Sequence, residues 1–181
     1  MLRLKDLMQR DVVAVSPDLT LRELLEVFSE REVSGAPVIT GNKVVGVISM
    51  TDIFDFREDT SPVSLGPDGP PPEPEDPPQK RSGTPASDFF SESWDPTEIG
   101  TVERMRTTRD RDWDLLDEYM VSDAMTRDVL SQPSGTTLKK AAQYMLEKGI
   151  HRILVIDDGE LQGIVTTTDI VRAVAEGRLK G

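Results

Sequence analysis

Cysteine is absent from this chain of 181 residues, and histidine occurs once. Those absences exclude disulfides, thiolate metal sites and a cysteine nucleophile, and they make a histidine-rich metal cage impossible. No apolar run approaches the ~18 residues that a membrane-spanning helix needs, so the chain reads as soluble. The opening segment MLRLKDLMQRD lacks the apolar stretch of a secretory signal, because charges interrupt it at once; the cytoplasm is the expected location. A Gly-rich loop of the P-loop type is missing too, as is any couple of nucleophile and base. A binding role, not an enzymatic one, is the resulting expectation.

The formal charge of −12 opposes binding to nucleic acid or to an anionic membrane surface, both polyanions. Its placement is uneven. Residues 57–118 hold 16 acidic and 7 basic side chains, so −9 of the total sits there and the flanks are nearly balanced. The same stretch is rich in proline: residues 57 to about 96 carry 10 of the 13 in the chain, including the run Gly69 to Pro78. Such a composition buries too little apolar area to offset ordering entropy, and proline among repelling carboxylates favours extension. A disordered acidic linker is expected, with docking onto a basic partner as the alternative. Helical character returns over Val102 to Tyr119, where Trp113, Leu115, Leu116 and Tyr119 are expected to rest against the segment that follows. Arg104, Arg106, Arg109 and Arg111 interleave with acidic residues and read as surface ion pairs.

Sliding the sequence on itself by 117 residues aligns 6–53 with 123–170 without a gap, and 14 of the 48 pairs are identical. An internal repeat is the consequence. Each copy reads as strand, helix, strand, strand, helix. In the first, Val12 to Val15 is a short β-prone run closed by Ser16-Pro17-Asp18, which carries turn chemistry. Thr20 and Glu23 then stand at capping-box spacing, and Leu21, Leu24, Leu25 and Phe28 fall on one helical face, as Leu138, Ala141, Ala142 and Met145 do in the second copy. Gly41-Asn42 and Asp158-Gly159 suit two-residue hairpin turns between apolar runs. The closing helices start near Thr51 and Thr168, with Ile53, Phe54, Ile170, Val171 and Val174 as apolar surface. A unit of about 50 residues buries too little surface to stand alone, so the copies are expected to pack on each other with approximate two-fold symmetry. The expected organisation is 1–56, a linker over 57–118, and 119–181.

Two motifs recur at constant spacing. One is the opening Asp-x-Met of Lys5-Asp6-Leu7-Met8 and Ser122-Asp123-Ala124-Met125; the other is the closing Gly46-Val47-Ile48-Ser49-Met50-Thr51-Asp52-Ile53 and Gly163-Ile164-Val165-Thr166-Thr167-Thr168-Asp169-Ile170. Together they resemble the CBS domain family, whose members occur as tandem pairs. The resemblance implies an α/β (α+β) fold of two βαββα repeats with pseudo-two-fold symmetry. It also implies clefts between the repeats that bind adenosine-containing ligands such as AMP, ADP, ATP or S-adenosylmethionine, without any reaction or resident cofactor. By the same analogy Asp52 and Asp169 accept hydrogen bonds from ribose hydroxyls, Ser49 and Thr166 reach phosphate, and Thr51 and Thr168 of the same motifs belong to the ligand-binding set. Backbone near Val13 and Leu130 flanks the adenine. His151 and Arg152 look like the basic pair that some repeats direct at phosphates, whereas the first copy has Ser34 and Gly35 there; unequal sites are expected. A homodimer through the closing helices and a separate regulated protein are further implications.

Plainer roles compete with these. Ser49 to Asp52 and Thr166 to Asp169 are also capping boxes that need no ligand, and His151 is equally a polar residue entering a strand. A module that only dimerises or docks, with no ligand, therefore stands as the alternative.

Overall fold

The computed structural model describes residues 1–60, 88–91 and 116–178. The proline run, the arginine cluster at 104–111, Trp113 and Leu115 lie outside the described residues. In chain order the elements are α1 (Leu21–Arg31), β1 (Gly35–Thr40), β2 (Lys43–Ser49), α2 (Met50–Thr60), α3 (Asp88–Ser91), α4 (Val121–Ala124), β3 (Ser131–Gln132), α5 (Leu138–Lys148), β4 (Arg152–Asp157), β5 (Glu160–Thr166) and α6 (Thr167–Ala175), after a 3-10 turn at Leu4–Asp6.

Local chemistry accounts for most of these boundaries. Thr20 Oγ1 accepts from the Glu23 amide at 3.2 Å while the Glu23 carboxylate accepts from the Thr20 amide at 2.8 Å, so the expected capping box starts α1. Its buried face is Leu21, Leu24, Leu25 and Phe28, the four positions that helical spacing selects. In α5 the buried face is Leu138, Ala141 and Met145. Both hairpins close through two-residue turns, Thr40 opposite Lys43 and Asp157 opposite Glu160. Positive φ at Gly41, Asp158 and Gly159 (60°, 53° and 84°) supplies the mirrored turn geometry that matches strand twist.

The two hairpins join into one five-stranded sheet of order β1-β2-β5-β4-β3. They meet where Lys43 pairs with Glu160. Those residues are 117 apart, so each is the other's equivalent and the pseudo-two-fold axis passes between them. Their side chains approach to 3.9 Å but stay about half exposed, which makes the contact a marker of symmetry more than a source of stability.

The expected strand over Val12 to Val15 is corrected to a single bridge, Val15 opposite Val38 in parallel. Its counterpart β3 is two residues long and pairs with Leu154 and Val155. The reason is a crossing of the chain. Gln9 exchanges hydrogen bonds with Ile164 of the second copy, both 2.9 Å, while Val15 bonds Pro37 and Ile39 of the first. Residues 10–14 span the gap between copies and are in no helix or strand.

This crossing is reciprocal. Leu4 and Leu138 bond backbone to Thr136 and Leu2, and, one repeat later, Leu21 and Val121 bond to Tyr119 and Leu19; Thr126 and Val47 exchange bonds of 2.9 Å. Each repeat therefore lends its opening segment to the other. Leu4 lies in the core of the second copy and Val121 in the core of the first. The expectation that Leu116 and Tyr119 rest against the second copy is likewise corrected: Leu116 is buried in the first core, and Tyr119 meets Phe56 edge to face at 4.9 Å between centroids.

Glycines make the crossing possible. A Cβ at Gly163 would stand 2.5 Å from the Gln9 carbonyl oxygen, and one at Gly46 would stand 2.8 Å from that of Thr126. Both neighbours are backbone and already bonded, so they have little freedom to yield. Gly163→Ala should cost about 1–3 kcal/mol through forced displacement of that segment, whereas Gly135→Ala, where the nearest atom is the Arg3 guanidinium at 3.6 Å, should be close to neutral; urea unfolding of both variants checks this.

At the end of β4 Asp157 accepts from the Ser134 amide at 2.9 Å. Hydrogen bonding from Ser134, side chain first and then backbone, holds its carboxyl below the ordinary value of 3.8. A carboxyl depressed by folding adds stability that is fully present above its unfolded pKa and is lost as pH falls through the lower folded value. Asp157→Asn should thus flatten the acid limb of the stability profile below about pH 4 and leave the shape near neutrality unchanged, as followed by thermal melts across pH.

Candidate functional site

The crossing segments leave a cleft between the repeats. On one side the first copy contributes the unladdered backbone of Val12 and Val13 and the start of β1 at Ser34 and Gly35; on the other the second copy contributes Arg152 from β4 and Thr166 from the end of β5. Phe89 of α3 forms part of the wall, and the cleft volume is about 220 Å³. Asp11 and Arg152 are the charged residues among its lining. Among the described residues no group of histidine and carboxylate side chains is arranged to hold a metal ion.

Thr166 and Asp169 stand at the mouth of α6. Asp169 Oδ2 accepts from the Thr166 amide at 2.9 Å and from its hydroxyl at 2.8 Å, while Thr166 Oγ1 accepts from the Asp169 amide at 3.3 Å. The capping box is formed. Oδ1 accepts from Gln9 Nε2 at 3.0 Å and from Arg172 at 3.4 Å, and the residue is 4% exposed. With four donors, this carboxylate has its acceptor capacity filled.

The first copy repeats the arrangement with less enclosure. Asp52 Oδ2 accepts from the Ser49 amide at 2.7 Å and hydroxyl at 2.8 Å, and Oδ1 from Thr126 at 3.3 Å. Thr126 is the equivalent of Gln9, so each carboxylate is met by the segment that crosses from the other copy. Ser49 is fully buried, and Asp52 is partly exposed.

Of the residues singled out in the sequence, the structure brings Val13, Arg152 and Thr166 to one cavity, with Asp169 behind Thr166. Ser49, Asp52 and Leu130 map by the repeat onto the opposite side. Thr51 is half-buried and Thr168 exposed, and neither lines the cavity. The His151 side chain is exposed; its backbone is engaged, the amide donating to the Phe90 carbonyl at 2.8 Å and the carbonyl accepting from Thr167 at 2.9 Å.

Gln9 and Phe89 escaped the sequence reading. A polar residue just after Asp-x-Met is the only trace Gln9 leaves. Phe89 lies inside the stretch expected to be a disordered linker, and for residues 88–91 that expectation is corrected: Phe89 is 2% and Phe90 0% exposed, packed in the second core with their rings edge to face at 5.0 Å. An adjacent aromatic pair among prolines and carboxylates was the available signal, since burial of two such rings outweighs the cost of ordering one turn.

Comparison with known proteins agrees with this architecture. The CBS domain profile matches residues 4–59 and 121–176. An uncharacterized protein of Methanocaldococcus jannaschii, MJ1426, is 28% identical over 183 residues, covering 94% of this chain and 90% of that protein. The crystal structure of CBSX2 in complex with AMP superposes with a TM-score of 0.60 at 23% identity, covering 98% of this chain and 99% of that one; CBSX2 is a CBS-pair protein from Arabidopsis thaliana. The CBS domain pair of MJ0100, in complex with 5-methylthioadenosine and S-adenosyl-L-methionine, gives 0.54 at 15% identity, covering 97% of each chain. Two matched stretches, a shared sheet and reciprocal exchange of opening segments leave one assignment: the chain belongs to the CBS domain family and carries two of its domains as a pair.

Proposed function

We propose that the cleft beside Val13, Arg152 and Thr166 binds an adenosine-containing ligand, and that the chain is a sensor whose bound state is read by a separate protein. The observation that carries this reading is the meeting, in one cavity between repeats, of backbone outside any ladder, one guanidinium and the N-terminus of α6. Free backbone groups near Val13 suit the polar edge of a base. Arg152 offers a fork for phosphate oxygens, and the positive end of the α6 dipole favours an anion. CBSX2 with AMP and MJ0100 with S-adenosylmethionine and methylthioadenosine support an adenosine moiety over other ligand classes.

The filled acceptors of Asp169 add a constraint. A ribose diol gains Oδ1 by displacing either Gln9 Nε2, a residue of the crossing segment, or the more exposed Arg172 guanidinium. Where Gln9 yields, ligand binding loosens one tie between the copies, which gives it differential affinity for two arrangements of the pair. No catalytic step is assigned to the chain.

The same fully bonded Asp169 also favours a second reading, a docking module whose motifs serve architecture alone. Titration calorimetry with AMP, ADP, ATP and S-adenosylmethionine separates the two: saturable binding by at least one supports the sensor, and none by a folded protein supports the docking module. Arg152→Gln should weaken a phosphate-bearing ligand about tenfold or more, the worth of a charge-assisted hydrogen bond, and leave adenosine within about twofold.

The outer face of α6 is the proposed dimer contact. Val171 and Val174 are 65% and 55% exposed on a helix otherwise tied to the second core, and among the described residues no helix is long and apolar enough to cross a membrane. The double variant Val171→Asp, Val174→Asp should sediment as a monomer where the parent sediments as a dimer.

A further inference from the structure

The linker does more than connect the repeats, because α3 docks on both members of the basic pair. The Phe90 carbonyl accepts the His151 amide at 2.8 Å, and the Arg152 guanidinium carbon lies 5.3 Å from the centroid of the Phe89 ring. On its other side the ring presses on Gly35, where a Cβ would come within 2.8 Å of Phe89 Cδ2. Gly35 and Arg152 are equivalents under the repeat. Phe89 is thus wedged between symmetry-related positions, and only one of them carries a side chain.

This arrangement gives the asymmetry of the repeats a physical cause. A second arginine at position 35 would occupy the space of the ring, so the pair has room for one guanidinium and one aromatic wedge. The ring lines the cleft together with Arg152 and presents a negative π face to the cation. A guanidinium stacked this way has fewer rotamers to lose when it meets a ligand, which is the usual gain from preorganisation.

We propose that Phe89, supplied by the linker, is a positioning residue for Arg152 and sets the preference of the cleft for phosphate-bearing over uncharged adenosine ligands. The proposal rests on the reading of the cleft as an adenosine site. It assigns to α3 a part in ligand selection that neither repeat provides.

The test uses the full chain and calorimetry with AMP and with adenosine. Phe89→Leu, which keeps an apolar wedge without a π face, should weaken AMP about two- to fivefold, the range of an exposed to partly buried cation–π contact, and weaken adenosine, which meets the same wall, by less. Adding Phe89→Leu to Arg152→Gln should cost nothing further, because the ring acts through the guanidinium. Should the leucine variant fail to fold, pentafluorophenylalanine at position 89 keeps the shape, reverses the ring quadrupole and should give the same AMP-selective loss. Equal weakening of AMP and adenosine, no change in either, or a loss that adds fully to that of Arg152→Gln overturns the positioning role while the adenosine site stands. Absence of binding by the parent chain to both ligands removes the site and this role together.

Discussion

The peptide backbone of each opening segment lies against a glycine of the opposite repeat, Gln9 on Gly163 and Thr126 on Gly46, and the architecture follows from that contact. Because the segments exchange, Leu4 completes the second core and Val121 the first. Neither repeat then has a finished core of its own, which ties their folding together. This is how two units of about 50 residues escape the poor surface-to-volume ratio of so small a domain.

The same exchange builds the site. Residues 10–14 leave one copy for the other and belong to no strand, so their backbone faces the gap between repeats. At the end of each crossing segment a polar side chain, Gln9 or Thr126, reaches the carboxylate of the other copy's closing motif. The carboxylates cap helices and hold the copies together at once. In Asp169 the two duties fall on the two oxygens of one carboxylate, Oδ2 capping α6 and Oδ1 holding Gln9 of the crossing segment.

Much of this was legible beforehand. The faces of α1 and α5, both hairpin turns and the capping boxes came from spacing and turn chemistry, which are local and act within a few residues. Arg152 was expected to face phosphate, and clefts between the repeats were expected, only through resemblance; that Arg152 shares one cleft with Val13 and Phe89 was not legible, because a strand residue is directed by the sheet around it. The linker misled more. Its overall composition argues against order, but composition averages over a stretch, while docking of α3 depends on the Phe89 ring fitting beside Gly35 and on Phe90 entering the second core.

By itself, the sequence determined that the chain is a duplicated unit, where α1, α2, α5 and α6 begin to within a residue, and which side chains of α1 and most of α5 are buried. Those features depend on interactions within a turn or two of helix, and they recur because the repeat recurs. Only the tertiary structure decided that the opening segments exchange, that the strand expected at Val12 to Val15 shrinks to one bridge, and that Phe89 rather than a second arginine fills the gap beside Arg152. These outcomes depend on distances between residues far apart in the chain, where a single carbonyl against a glycine, or a single ring between two strands, outweighs the local preference of the segments involved.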